Sequence, residues 1–194
     1  MRIKKLILKI MCINLILLIS CSTNKPLTGY MDTGMLITSP VRLQAAGNII
    51  STFKTSFANG RQGRVTNITL SAKSINGWII QPNHVFSYNT AVGPSTQERG
   101  YQLATVFVND QEIQGYGGGI CQTSSTLYNA ALEAGLTIVE RHPHTKEVFY
   151  VPQGKDAATS YGCIDLKIQN NRKYPIMICS YINGEEVVVE LKRA

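Results

Sequence analysis

The sequence is poor in charge, and it contains no internal repeat and no low-complexity tract. Charged residues make up only 16% of its 194 residues, whereas hydrophobic residues make up 44%. A chain with this balance can bury enough apolar surface to fold, which excludes a wholly disordered protein. Its length suffices for one domain with a proper core.

The spacings that usually bind metals or phosphates are also missing. Three histidines and five cysteines are present, but none of them forms a C-x-x-C or H-E-x-x-H spacing. A zinc site made by Cys121, His142, His144 and Cys163 is conceivable, yet no such spacing supports it. The run Gly-Tyr-Gly-Gly-Gly at 115–119 lacks the Gly-Lys-Ser/Thr ending of a phosphate-binding loop. The sequence therefore predicts no metal and no cofactor.

The N-terminal segment has the pattern of a secretory signal. A basic start is followed by an apolar run at 10–19 that is interrupted only by Asn14. This run is too short to span a membrane comfortably. It ends in Leu-Ile-Ser-Cys at Cys21, which resembles a bacterial lipobox.

This pattern divides the chain into three parts. We expect residues 1–20 to be a lipoprotein signal peptide and residues 21–35 to be a tether whose first residue, Cys21, carries the lipid. Residues 36–194 then form a single domain on the outer face of the cytoplasmic membrane. An uncleaved anchor helix is the alternative, and it gives the same location outside the cytoplasm.

The positive net charge of the chain depends largely on the signal segment. The formal net charge is +7, but four basic residues and no acidic residue precede Cys21, so the charge falls to +3 without them. Nucleic-acid binding thereby loses its main support, and we expect no nucleic-acid partner.

Three cysteines remain in the domain once Cys12 and Cys21 are set aside. An odd number outside the cell leaves at least one thiol outside a disulfide. Cys163 and Cys179 lie in β-like runs and could be buried small residues or a disulfide pair. Cys121 differs from both because three glycines precede it and a helical pattern follows it.

The spacing of apolar residues predicts an α+β fold with a mostly antiparallel sheet and two main helices. The first helix has apolar residues at Val65, Ile68, Ala72 and Ile75 and stops at Gly77. The second begins at or just after Cys121 and ends at Gly135, with an apolar face made by Leu127, Ala130, Ala131 and Ala134.

The remaining segments have mainly strand patterns. Residues 78–94 are predicted as strand, turn, strand and loop, and residues 103–115 as a hairpin around Asn109 and Asp110. The segments 136–144 and 147–152 are also predicted as strands. Near the C-terminus, Asn183 and Gly184 predict a type I′ turn between two long strands.

The setting of Cys121 is typical of a reactive thiol. The glycines allow close approach of a ligand, and the free N–H groups and positive dipole end of the helix favour the thiolate. N–H groups near Cys121 and Gln122 could stabilise an oxyanion, with Gly119 and Ser124 beside the substrate. The alternative is a glycine hinge before a buried structural cysteine.

A thiolate nucleophile needs a base, and two histidines follow in the segment Glu-Arg-His-Pro-His. His142 and His144 share a face if the segment is a strand, although the intervening proline implies an edge or a bend. Either could be the general base, and Asp156 or Glu140 could orient it. The alternative is a surface turn. Arg141 could hold a substrate carboxylate or be an exposed strand arginine.

Three stretches of the chain, at 86–106, 115–159 and 165–178, together resemble the VanW family. The most specific signals are Gly-Gly-Gly-Ile-Cys-Gln, Glu-Arg-His and Asp-Ala-Ala-Thr, and the resemblance covers roughly 51–192. One departure is Pro-Asn-His before Val-Phe-Ser, where the family usually has Pro-Gly-Glu. This departure argues against a role for His84.

The resemblance implies a cell-wall function, because some family members are implicated in peptidoglycan cross-linking as L,D-transpeptidases. Cys121 would then attack a tetrapeptide stem, release its terminal D-Ala, and pass the acyl group from a thioester to an amine of a second stem. Water as acceptor would give a carboxypeptidase. The main alternative is a non-catalytic peptidoglycan- or glycopeptide-binding module in which Cys121 only packs. A scaffold for other envelope enzymes is a third possibility.

Overall fold

The computed structural model describes residues 48–108 and 111–194. The predicted signal peptide, the tether and the proposed start of the domain at residue 36 lie outside the described residues, as do the hairpin residues Asn109 and Asp110. No helix in the described part is long and apolar enough to cross a membrane.

The described elements alternate between strands and short helices. In chain order they are β1 Ile49–Ser56, α1 Gln62–Ile75, β2 Ile79–Ile80, β3 Val85–Ser87, α2 Tyr88–Val92, a 3₁₀ turn Gln97–Arg99, β4 Leu103–Val108, β5 Gln111–Tyr116, α3 Ile120–Glu133, β6 Thr137–Glu140, β7 Lys167–Gln169, β8 Ile176–Asn183 and β9 Glu186–Arg193.

The strands form three antiparallel sheets. The largest has the order β1-β9-β8-β2, the second has β3-β7-β6, and the third is the β4-β5 hairpin. The α+β class with two main helices, α1 and α3, is therefore confirmed, and the strands are divided among separate sheets.

The core lies between the largest sheet and the two main helices. The apolar face of α3 is buried as predicted, and it packs with inward residues of β8 and β9 such as Ile178, Val189 and Leu191. Each buried aliphatic side chain of this size contributes about 1.5–3 kcal/mol relative to exposure. Three of the four face residues of α3 are alanines, so the helix can approach the sheet closely.

The predicted helix ends are close to the observed ones. α1 ends at Ile75 just before Gly77, which has a φ of 85°, and α3 begins one residue before Cys121 and is followed by Gly135 with a φ of 66°. The β4-β5 hairpin is confirmed, with Leu103 paired with Tyr116.

Three local predictions are wrong. Residues 88–92 form helix α2 rather than a loop, because the Ser87 side chain accepts a hydrogen bond from Thr90 N and caps a helix start. The segment 147–152 forms bends rather than a strand, and Cys163 lies in an exposed turn rather than in a strand.

The C-terminal hairpin is confirmed, but its turn is shifted by one residue. Asn183 still pairs with Glu186 at the end of the ladder, so the two loop residues are Gly184 and Glu185. Only Gly184 has a positive φ, at 59°. A single positive φ at the first loop residue is the pattern of a type II′ turn rather than a type I′ turn.

Candidate active site

The glycine run before α3 makes room for neighbouring protein atoms. A Cβ atom on Gly118 would lie 2.5 Å from the carbonyl oxygen of Thr105, and one on Gly119 would lie 3.0 Å from Cγ of Arg64. Gly119 is also the N-cap of α3 with a φ of 111°, which other residues rarely adopt. The space beside its Cα, which the sequence assigns to a substrate, is thus occupied by α1.

Gln122 is expected at an oxyanion site, but its polar atoms are already paired. Its buried Nε2 donates to Thr55 Oγ1 at 3.0 Å and to Ser56 O at 2.9 Å, and its Oε1 accepts from Arg64 Nη2 at 2.7 Å. Its backbone N–H donates to Gly119 O at 2.9 Å. Gln122 therefore joins the start of α3 to β1 and α1 and does not face a substrate.

Ser124 is also buried and is used to position another segment. Its hydroxyl donates to the carbonyl oxygen of Ala157 at 2.6 Å, and the Ser125 hydroxyl accepts from Ala157 N at 2.8 Å. One turn later, Asn129 Nδ2 donates to Lys155 O at 2.7 Å. The polar face of α3 thus holds residues 155–157 against the helix, and the expected substrate contact of Ser124 is replaced by this role.

The Cys121 thiol lies where this docked segment passes the start of α3. It is partly exposed, and its Sγ accepts a hydrogen bond from Thr159 N at 3.4 Å and lies 3.5 Å from Thr159 O. Burial raises the pKa of the thiol. The hydrogen bond and charge of His144, together with Thr159, outweigh burial and lower the pKa below its ordinary value. A lowered pKa increases the thiolate fraction.

His144 is held between Cys121 and Asp156. Its Nδ1 and its backbone N both lie 2.6 Å from Asp156 Oδ2, so Nε2 is the ring nitrogen that remains for the thiol. Burial lowers the pKa of His144, but Cys121 and Asp156 more than offset this and raise the pKa. The raised imidazole pKa and the lowered thiol pKa together favour a thiolate–imidazolium pair.

Asp156 is fixed by a second partner. Its other carboxylate oxygen, Oδ1, lies 2.7 Å from Arg141 Nη2, and Arg141 Nε donates to its backbone oxygen at 2.6 Å. The Arg141 guanidinium also lies over the Tyr128 ring at 5.5 Å. Arg141 is thus not an exposed strand arginine, because its charge is paired with Asp156. Its expected contact with a substrate carboxylate stays a prediction.

His142 points to a different partner. Its Nε2 lies 3.0 Å from Glu140 Oε1, whose other oxygen pairs with Lys167 Nζ at 2.7 Å. The hydrogen bonds from Lys167 and then His142 lower the pKa of Glu140 to about 2. The structure therefore places His144 and Asp156 at the thiol, whereas His142 and Glu140 form a separate pair.

The other histidine and cysteines lie elsewhere. His84 is exposed and bonds to the carbonyl oxygen of Pro82 at 3.0 Å. Cys179, in β8, carries a free thiol, so the considered disulfide with Cys163 is not formed. No group of three or more His, Cys, Asp and Glu side chains in the described part of the chain could hold a metal ion.

Three further residues contact the site without having been identified from the sequence. Thr159 lies in the Asp-Ala-Ala-Thr motif, so its position beside the thiol could have been suspected. Arg64 comes from α1 and Tyr150 from the bent segment before Pro152, and nothing in their local sequence indicates a site. Burial raises the pKa of Tyr150 well above its usual value.

Two pockets flank the thiol-bearing segments. One of about 230 Å³ is formed by the loop from Pro143 to Gly154 and includes His144. The other, of about 600 Å³, is formed by Asn89, Glu140 and the turn around Cys163 that follows Thr159. The first pocket is lined by His144 and Asp156 of the site, whereas the second is lined by Glu140 and Lys167 and not by Cys121, His144 or Asp156.

Comparisons with known proteins agree on one family. The family model described as VanW like protein matches residues 63–192. The chain is 43% identical over 139 residues to the uncharacterized protein YoaR of Bacillus subtilis, covering 72% of this chain and 46% of that protein. It is 31% identical over 133 residues to the vancomycin B-type resistance protein VanW of Enterococcus faecalis, covering 66% and 48%.

The chain spans about half the length of these curated relatives. No solved structure matches it.

Proposed function

The chain belongs to the VanW family, and on that premise we propose that it is a cysteine acyltransferase acting on peptidoglycan stem peptides, of the L,D-transpeptidase type. The observation that carries this proposal is the His144–Asp156 pair at 2.6 Å, whose imidazole lowers the pKa of the Cys121 thiol at the start of α3. Nucleophile, base and orienting carboxylate in this order are the parts that covalent acyl transfer requires.

The first half-reaction uses the thiolate that His144 favours. Cys121 Sγ attacks the carbonyl carbon before the terminal D-Ala of a tetrapeptide stem, and a thioester bond forms. The amide C–N bond breaks, and the imidazolium of His144 gives its proton to the leaving amine. Asp156 holds the imidazole in place by the 2.6 Å contact at Nδ1, so that Nε2 faces the reaction.

The second half-reaction reverses the proton transfer. An amine of a second stem attacks the thioester carbon while neutral His144 accepts its proton. The C–S bond breaks, an amide bond forms, and the thiolate is regenerated. Water in place of the amine would give a carboxypeptidase. The pocket lined by His144 and Asp156 is a candidate approach for one of the two substrates.

The tetrahedral intermediate needs a donor for its oxyanion. The N–H groups of Ile120 and Gln122 donate to Gly117 O and Gly119 O and close the first turn of α3. We assign the oxyanion to the N–H of Cys121, which lies between them at the positive end of the helix. This assignment replaces Gln122 in the role expected from the sequence.

The proposed location is the outer face of the cytoplasmic membrane, with a lipid on Cys21. The N-terminal signal pattern supports this location. The name of the Enterococcus relative links that protein to vancomycin resistance. Cys21→Ala should release the domain from the membrane fraction or leave an unprocessed precursor. Wild-type protein found soluble with an unmodified N-terminus would contradict the lipoprotein proposal.

The competing proposal of a non-catalytic binding module finds less support in the geometry. That module needs the glycine loop and helix start to receive a peptide carboxylate. The space beside Gly118 and Gly119 is instead filled by Thr105 and Arg64. A buried thiol that only packs would also not need an imidazole held beside it by a carboxylate.

The test is incubation of isolated wall fragments with the protein. Released D-Ala or new 3-3 cross-links are expected, and Cys121→Ser should reduce turnover by roughly 10⁴-fold or more. Cys163→Ser is the matched control, since it removes an exposed thiol in a turn away from α3. Retention of fragments without turnover would favour the binding module, whereas turnover by Cys121→Ser equal to that of wild type would exclude Cys121 as the nucleophile.

A further inference from the structure

Arg64 brings a positive charge from α1 to the start of α3. Its Nη2 donates to Gln122 Oε1 at 2.7 Å, next to the proposed nucleophile in sequence. Its stem passes Gly119, where a Cβ atom would lie 3.0 Å from Arg64 Cγ. Its guanidinium carbon lies 5.4 Å from the centre of the Phe149 ring and 5.8 Å from that of Tyr150.

This guanidinium has no carboxylate partner among the described residues. The ion pairs found there use other cations, and Arg64 Nε is buried without a hydrogen-bond partner. Its hydrogen-bond and ring neighbours are an amide oxygen and two aromatic rings, and the nearby charge of the Cys121 thiolate is shared with His144. A half-buried guanidinium that forms no ion pair with a carboxylate can therefore accept an anion that arrives from outside.

Arg141 differs from Arg64 because it has a carboxylate partner. It also lies over an aromatic ring near the site, but Asp156 neutralises it at 2.7 Å. Arg64 lies on the other side of α3's first turn and lacks such a carboxylate. Burial lowers its pKa, and the nearby Tyr150 and Cys121 partly oppose this effect. An arginine nevertheless remains protonated, and its planar fork matches a carboxylate.

We propose that Arg64 binds a carboxylate of the donor peptide beside the scissile bond, and that it selects acyl donors with this carboxylate free over those in which it is amidated. This inference rests on the proposed acyl transfer at Cys121. The ligand chemistry is a peptide carboxylate, carried either by the leaving C-terminal residue or by the side chain of the residue before the scissile bond. Phe149 lies beside the guanidinium at 5.4 Å and is 79% exposed, so this side of Arg64 is open to a ligand.

The first test uses two alkylating reagents that differ only in charge. Iodoacetate carries a carboxylate and iodoacetamide a carboxamide, so the ratio of their rates at Cys121 cancels any change in the thiolate fraction. We expect Arg64→Met to lower the iodoacetate-to-iodoacetamide ratio by roughly five- to tenfold. Arg64→Lys should retain most of the preference if it folds with the wild-type melting temperature.

The matched control is Arg61→Met, which removes the same charge from the exposed N-cap of α1. It should leave the ratio within about twofold of wild type, since an exposed charge is screened by water and salt. Equal loss of both rates in Arg64→Met would mean that Arg64 only stabilises the thiolate. An unchanged ratio would likewise overturn carboxylate recognition.

The second test identifies the source of the carboxylate. Tetrapeptide donors are compared with a free terminal carboxylate or a C-terminal amide, and with a free or amidated side-chain carboxylate. Wild type should discriminate against one of the amides, and Arg64→Met should lose that discrimination. Turnover of stem peptides in which Arg64→Met and wild type discriminate equally would contradict carboxylate recognition by Arg64 but not the proposed transpeptidase. An iodoacetate-to-iodoacetamide ratio that depends on Arg64, without turnover of any stem peptide, would contradict the proposed transpeptidase.

Discussion

Two imidazole–carboxylate pairs lie between the end of β6 and Asp156, and they differ in burial and in partners. The His144–Asp156 pair is 2.6 Å apart, with side chains 13% and 9% exposed. The His142–Glu140 pair is 3.0 Å apart, with side chains 40% and 28% exposed. Only the first pair also contacts a thiol, so similar side chains two residues apart acquire different chemistry.

The two pairs differ because their carboxylates belong to segments that are held in different places. Asp156 belongs to a segment that Ser124, Ser125 and Asn129 hold against α3, beside the start of the same helix. Glu140 is the last residue of β6, and its charge is shared with Lys167 on the paired strand β7. A carboxylate near the helix start can serve the nucleophile, whereas one at a strand end satisfies surface charges.

Replacing each histidine by alanine should give the largest difference between the two pairs. We expect His144→Ala to reduce the rate of D-Ala release by roughly 10²- to 10⁴-fold, because the thiolate loses its proton acceptor and donor. His142→Ala should stay within about threefold of wild type, since its imidazole contacts Glu140 instead. Rates measured on the same stem peptide decide the point. A similar loss in both variants would show that the pairs are not functionally distinct.

Much of the fold was predictable because its signals are local. The apolar faces of α1 and α3 and the hairpins β4-β5 and β8-β9 follow from residue spacing and turn residues. The helix α2 was missed because a five-residue helix has too little periodicity to detect. The C-terminal turn was placed one residue early because Asn183 continues the ladder with Glu186.

The site was predictable only in part, because its residues meet through long-range packing. Sequence indicated Cys121 and both histidines, but it could not distinguish His144 from His142. The choice depends on the docking of residues 155–157 on α3, which involves hydrogen bonds across more than two dozen residues. Arg64 lies 58 residues before its partner Gln122, and its own helix shows only an ordinary first turn.

Neutralising each carboxylate should give an intermediate effect on thiol reactivity. Asp156→Asn removes the charge that supports imidazolium at His144, so the lowered pKa of Cys121 should move up towards its ordinary value. A thiol with a higher pKa carries less thiolate below that pKa. We therefore expect alkylation at about pH 6 to slow by roughly tenfold and to recover as the pH is raised.

Glu140→Gln is the matched control for that experiment. It removes the same charge from the exposed pair and should leave the pH profile of Cys121 alkylation unchanged. Both proteins should carry Cys163→Ser so that the exposed thiol does not contribute, and Cys179, whose pKa is raised chiefly by burial, should react slowly in each. An equal shift in the two profiles would mean that overall charge, rather than Asp156, controls the thiol.

Weakening the hydrogen bonds that hold residues 155–157 against α3 should have the smallest effect. This effect should be seen first in the free energy of unfolding. Ser124→Ala removes the 2.6 Å hydrogen bond to Ala157 O and leaves that buried carbonyl without this donor. We expect the free energy of unfolding in urea to fall by about 1–2 kcal/mol. Ser74→Ala is the control, because its hydroxyl donates to Leu70 O within its own helix, and it should cost less than about 0.5 kcal/mol. The hydrogen bond from Ser124 to Ala157 O can also help to position the neighbouring Asp156. In that case Ser124→Ala will slow the alkylation of Cys121 by a few-fold, while Ser74→Ala leaves the alkylation rate unchanged. Equal stability and equal alkylation in both variants would show that the docking of residues 155–157 does not depend on this bond, and that the contrast between the two histidine pairs has another origin.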